Sequence, residues 1–211
     1  MELKKLEKLK KDLASASKEK NDALKRITIA AVITETLASL DIEPILVGGA
    51  AVTFYTNGDY TTEDLDFISP SGAEISDLMA GLGFSKRGKD FINKKLSIYI
   101  EFPGEQLGPT ERYDIIDVSG ISVRIISIED LVVDRLSAYK FWKSGIDGVN
   151  ALRLLELGKA DTERVEERAR EEDVLDALDY VQDVLEKATR KRLSPDEASK
   201  LLEKFTKRRR T

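Results

Sequence analysis

Ile45-Leu46-Val47-Gly48-Gly49 and Thr61-Thr62-Glu63-Asp64-Leu65-Asp66-Phe67-Ile68 decide how this chain is read. The first is a short apolar run broken by two glycines, and the second is a strand with acids at alternate positions. Side chains on a strand alternate between its faces, so Asp64 and Asp66 point one way while Leu65, Phe67 and Ile68 serve a core. Paired carboxylates repel unless a cation lies between them. Hard oxygen ligands suit Mg²⁺, which keeps several waters and shares its shell with substrate phosphates. A Gly-Gly turn that opens a helix brings backbone N–H groups close to a phosphate, which places Gly48 and Gly49 beside the same ligand. Together the two stretches point to phosphoryl or nucleotidyl transfer.

A third stretch, Leu96-Ser97-Ile98-Tyr99-Ile100-Glu101-Phe102-Pro103, adds an acid. Its alternation buries Ile98, Ile100 and Phe102 and turns Ser97, Tyr99 and Glu101 the other way, so Glu101 faces Asp64 and Asp66. Three carboxylates would hold one or two Mg²⁺ ions between attacking and leaving oxygens, with Glu101 also placed to accept a proton from an attacking hydroxyl. Taken alone, Glu101 reads as a solvent-facing strand residue; its place after Gly-Gly and Asp-x-Asp favours the site.

Around these stretches the chain reads as helix, mixed α/β centre, then helices. Leu3, Leu6, Leu9 and Leu13 recur at helical spacing, and a second helix covers about 22–39. Strands follow near 45–48, 64–68, 97–102, 113–118 and 121–126, the last two joined by Ser119-Gly120 as a hairpin. Ser71 with Glu74, Ser127 with Asp130 and Ser194 with Glu197 are helix starts of the capping-box type. The fold class is α/β (α+β): a mixed sheet flanked by helices, organised as N-terminal helices 1–40, a core 41–126 and a C-terminal helical region 127–211.

Composition removes alternatives. The 211 residues contain no Cys and no His, which excludes disulfides, thiolate or imidazole metal sites and Ser-His-Asp or Cys-His catalysis. No apolar run approaches the roughly 20 residues of a membrane span, and the Lys-rich start lacks a signal peptide's apolar core, so the expectation is a soluble cytoplasmic protein. A 35 % charged content with two Met is a thermophile-like composition. The net charge of −5 is uneven: residues 1–26 hold nine Lys/Arg against five Asp/Glu, and 187–211 hold ten against three. The basic ends read either as solvated helix faces or, with Lys204, Lys207, Arg208, Arg209 and Arg210, as a rim for a polyanion such as RNA.

Val47-Gly48-Gly49, a fourteen-residue gap, Asp64-Leu65-Asp66 and a later strand carboxylate resemble the DNA polymerase β-type nucleotidyltransferase superfamily. Within it, Gly-Gly-Ala-Ala-Val, Tyr60-Thr61-Thr62-Glu63-Asp64-Leu65-Asp66, Ile100-Glu101-Phe102-Pro103 and 128–142 resemble small prokaryotic nucleotidyltransferase-like proteins related to abortive-infection toxins. The resemblance implies transfer of a nucleoside monophosphate to a hydroxyl of RNA or protein, and an antitoxin as partner. Superfamily members often carry Gly-Ser; here Ala50 follows, which leaves the triphosphate contact to backbone N–H groups or to Thr61 and Thr62. In the toxin-like relatives a cation of the helix after Ser127 approaches the phosphates. Arg135 is the best match, followed by Lys140 and Lys143, against the alternative of an Arg135 ion pair with Asp130 or Asp134. Trp142, the single Trp, is expected in the core rather than stacked on a base.

Three functions remain open on these residues. They are a Mg²⁺-dependent nucleotidyltransferase, a nucleotide- or RNA-binding module without turnover, and an interaction protein that pairs with an antitoxin.

Overall fold

The computed structural model describes residues 2–208, with side chains to 205. Arg209 and Arg210 of the basic rim, and the side chains of Lys207 and Arg208, lie outside the described residues. The chain divides into two compact units, 1–127 and 128–211.

The first unit carries the sheet. Its elements are α1 (Leu3–Ala16), α2 (Asp22–Leu37), β1 (Ile45–Val47), α3 (Gly48–Tyr55), β2 (Asp64–Ile68), α4 (Ala73–Gly81), β3 (Ser85–Arg87), β4 (Asp90–Asn93), β5 (Ile98–Gly104), β6 (Tyr113–Val118) and β7 (Ile121–Ile126). The seven strands form one mixed sheet in the order β3-β4-β5-β2-β1-β7-β6. β1 lies antiparallel to β2 and parallel to β7, and β2 lies parallel to β5. Ile45, Leu46 and Val47 are all buried, as a central strand covered on both faces requires.

α2 is apolar on nearly every side, with Ile27, Ile29, Ala30, Val32, Ile33 and Leu37 buried, so it forms a core helix between α1, α3 and β7. Asn21 caps it, accepting from the Leu24 N–H at 2.8 Å. α1 supplies Leu9, Leu13 and Ala16 to the same core. α1 and α2 thus belong to the sheet's own unit.

Three local expectations need correction. Ser71 does not cap α4; its hydroxyl donates to Glu105 at 2.6 Å and Gly72 stands at the N-cap, because a side chain one residue farther out has a stronger, charged acceptor within reach. The β3–β4 hairpin was not expected, since Ser85-Lys86-Arg87 is polar and exposed throughout. Ile68 shares its face with Asp64 and Asp66 and is half-buried, whereas Leu65 and Phe67 are fully enclosed.

The second unit is helical: α5 (Ile128–Phe141), α6 (Gly145–Glu156), α7 (Thr162–Glu171), α8 (Leu175–Lys191) and α9 (Pro195–Arg208). Buried Asp130 ties α5 to α7, accepting from Arg164 Nη2 and Arg168 Nε at 2.8 Å each. Tyr139, fully enclosed, donates its hydroxyl to the Leu202 carbonyl and so binds α5 to α9. The Ser194–Glu197 capping box forms as read from the sequence, each residue satisfying the other's backbone N–H. Trp142 is not in a core: it is 81 % exposed, because α5 ends at Phe141 and Lys143 takes a left-handed backbone (φ +58°) that turns the chain away. No described helix is long and apolar enough to cross a membrane.

Candidate active site

The antiparallel turn from β1 through α3 to β2 brings the two opening stretches together. Val47 pairs with Asp66 across the strands, so the first turn of α3 lies against the acidic end of β2. Gly48 has φ +63°, and a methyl group at its Cα would lie 2.2 Å from Asp66 Oδ2. Only glycine meets both conditions, since the left-handed backbone and the absent side chain are needed at once. At Gly49 a methyl group would meet the Thr62 side chain at 3.2–3.3 Å. The Thr62 hydroxyl lies 3.4 Å from the Asp64 N–H, a long contact, and Thr61 is exposed.

The sheet aligns the acids. In the parallel β2–β5 pair Asp66 stands opposite Glu101, and in the antiparallel β4–β5 pair Glu101 stands opposite Asp90. Residues directly opposite share a face, so Asp66, Glu101 and Asp90 form a row across three adjacent strands at roughly 4.8 Å spacing. Asp64 lies on the same face one pleat away, opposite Tyr99. A small hollow of about 120 Å³ is lined by Asp64, Asp90, Ile92, Tyr99, Ile100 and Glu101.

Partial burial of the Asp64 carboxyl raises its pKa above the usual carboxylate range. The charges of Glu63, Glu101 and Asp90 push the same way and Arg26 opposes them. Lys89, in the turn between β3 and β4, places its ammonium on Glu101 Oε1. That hydrogen bond and the Glu101 charge lift the Lys89 pKa, with Asp90 and Asp66 adding to the effect.

Arg26 of α2 is buried and donates from Nη1 to the Glu63 carbonyl at 3.0 Å, anchoring the backbone just before Asp64. Burial lowers its pKa, against the charges of Asp22, Glu63 and Asp64.

The structure therefore brings Gly48, Gly49, Thr62, Asp64, Asp66 and Glu101 into one region, all within the first unit. Arg135 and Lys140 belong to the second unit, where each is held by two carboxylates. Arg135 bonds Asp134 and, at 2.8 Å, Asp147; Lys140 lies 2.9 Å from Asp176 and 3.3 Å from Asp173. Sequence reasoning missed Asp90, Lys89 and Arg26. Asp90 and Lys89 lie in the hairpin that carried no strand signal, and Arg26 reads on a helix as one more solvated cation.

The donor set is oxygen alone, which suits Mg²⁺. Among the described residues no three carboxylates converge closely enough to hold a metal ion without help.

A family model described as "Nucleotidyltransferase of unknown function (DUF6036)" matches residues 23–197 of the chain. The chain belongs to this family. The matched span runs from α2 into the start of α9 and so contains the whole acidic face as well as most of the helical unit. Among solved structures, an antigenic nucleotidyltransferase-like protein from Paracoccidioides brasiliensis is similar, with a TM-score of 0.50 and 17 % identity over 73 % of this chain and 92 % of that one. That likeness shows a nucleotidyltransferase-like fold for this DUF6036 member. No curated protein matches the chain.

Proposed function

We propose that the chain is a Mg²⁺-dependent nucleotidyltransferase that moves a nucleoside monophosphate from a nucleoside triphosphate to a hydroxyl of RNA or protein. The observation that carries this reading is the register that sets Asp66 opposite Glu101 while Asp66 rests against the bare Cα of Gly48. Acids and a phosphate-approaching glycine turn then serve one ligand.

In this reading the acceptor oxygen bonds the α-phosphorus, the bond from that phosphorus to the bridging oxygen breaks, and pyrophosphate leaves. Glu101 takes the hydroxyl proton. Asp64 and Asp66 would hold Mg²⁺, with Glu101 as a further carboxylate once it is free of Lys89. Bound there, Mg²⁺ would neutralise charge on the phosphate oxygens. The backbone of Gly48 and Gly49 and the side chains of Thr61 and Thr62 line the phosphate side. Arg135 and Lys140 remain proposals for phosphate contact that first require release from their carboxylates.

An RNA acceptor is supported by α1, on which Lys4, Lys8 and Lys11 stand exposed at i, i+4, i+7. A toxin whose partner is an antitoxin is the biological setting that the sequence resemblance favours. The test of the acceptor compares the full chain with one that ends at Leu202 and also carries Lys4→Ala, Lys8→Ala and Lys11→Ala. RNA binding that falls steeply with salt and weakens in that variant supports RNA. Equal affinity in both, with label found only on protein, assigns a protein hydroxyl instead.

The rival reading, nucleotide binding without turnover, draws on Ala50 in place of the usual serine and on the ion pair that occupies Glu101. It predicts metal-dependent nucleotide binding with no release of pyrophosphate.

A further inference from the structure

We infer that Lys89 is a two-position cation: it holds Glu101 while the site is free of nucleotide, and moves to the β- and γ-phosphates when a metal-bound triphosphate arrives. The inference rests on the nucleotidyltransferase reading above and names a phosphate-binding residue that the sequence does not reveal.

Lys89 is the exposed cation of this face whose ammonium rests on Glu101. Asp64, Asp66, Asp90 and Glu101 share the face, and Arg26, Lys89 and Arg87, which stands opposite Asp90 in the β3–β4 pair, lie beside it. Arg26 is 94 % enclosed and committed to the Glu63 carbonyl, so it cannot follow a ligand. Lys89 stands in the two-residue turn Gly88-Lys89 between Arg87 and Asp90, with 68 % of its side chain exposed and its ammonium on Glu101. Gly88 takes the left-handed backbone (φ +64°) that such a turn needs, with open space around its Cα.

Glu101 cannot ligate a cation or accept a proton with full effect while an ammonium holds its oxygen, so the ion pair has to open for the chemistry to run. An exposed pair of this kind is weak, and a dication carrying a triphosphate outcompetes it. Once released, a lysine is a flexible stem ending in a strongly hydrated point charge, suited to phosphate. Lys89 has room to move, since it also lines a cleft of about 410 Å³ on its other side, whose walls include Lys86, Ser71, Gly72, Phe102 and Gly104.

The exchange predicts effects of opposite sign. Lys89→Met should bind Mn²⁺ alone roughly two- to fivefold more tightly, because the metal no longer displaces an ion pair. It should bind Mg²⁺-nucleoside triphosphate roughly ten- to hundredfold more weakly, because a charge-assisted phosphate contact is gone. Lys89→Arg should keep most of the nucleotide affinity. Lys86→Met removes the same charge from the same hairpin without touching Glu101, and should change both affinities by less than about twofold.

Free Mn²⁺ measured by electron paramagnetic resonance and calorimetry with each of the four triphosphates read these values, with a thermal melt of each variant to check folding. Lys89→Met that binds Mn²⁺ no better than wild type, or Mg²⁺-triphosphate no worse, overturns the role of Lys89 alone. Wild-type protein that binds neither Mn²⁺ nor any Mg²⁺-triphosphate overturns the nucleotidyltransferase reading, and this inference with it.

Discussion

Replacing Gly48 with Ala should harm the acidic site more than it harms the fold, and the structure supplies its own control. Gly48 and Gly158 share φ +63°, but the added methyl meets Asp66 Oδ2 at 2.2 Å in the first and open space in the second. Gly158→Ala should therefore cost only the left-handed backbone penalty, about 1–2 kcal/mol. Gly48→Ala should cost that and, in addition, the energy of forcing Asp66 off its rotamer, about 0.5–1.5 kcal/mol. To restore an ordinary contact the Asp66 carboxylate must recede by about 1 Å. A misplacement of that size is worth about a hundredfold in a positioned reaction. Urea unfolding gives the stabilities, and release of pyrophosphate from Mg²⁺-triphosphate gives the activity. Equal stability losses in the two variants, or a Gly48→Ala protein with wild-type turnover, would refute the idea that Gly48 is bare in order to seat Asp66.

Other expectations follow from the same geometry. The Asp64 pKa is raised in the folded chain, so the group favours folding below its unfolded pKa and loses that contribution as pH rises through the folded value. Asp64→Asn should accordingly be more stable than wild type at neutral pH, by less than about 1 kcal/mol after solvent screening, and equal to it in acid below the usual carboxylate range; urea melts at the two pH values check this. Asp130→Asn removes the charge that faces Arg164 and Arg168 inside the helical unit and should cost roughly 3 kcal/mol, read from thermal or urea unfolding.

Much of this architecture is legible in the residues. β2 is found at its observed bounds because Leu65 and Phe67 alternate with Asp64 and Asp66, and period two has no other explanation in so short a run. β6 and β7 are equally plain, since Ser119-Gly120 separates two β-branched stretches. The hairpin that carries Lys89 in its turn is invisible because Ser85-Lys86-Arg87 is an exposed edge strand whose identity comes from pairing with β4, not from its own side chains. Asp90 was lost with it. Arg26 shows a different limit: a cation on a helix reads as solvated until the fold lays that helix along the sheet. Trp142 is exposed because α5 ends at Phe141, and no local residue type marks the left-handed turn at Lys143.

The most direct test of nucleotidyl transfer uses triphosphates labelled at either the α- or the γ-phosphorus, with Mg²⁺, wild-type protein and an Asp66→Asn variant of equal stability. The account predicts that α-label becomes covalently attached to an acceptor while γ-label leaves as pyrophosphate, and that chelation of Mg²⁺ or loss of the Asp66 charge abolishes the attachment. Covalent transfer of the γ-label, or undiminished α-label transfer by Asp66→Asn, would contradict it.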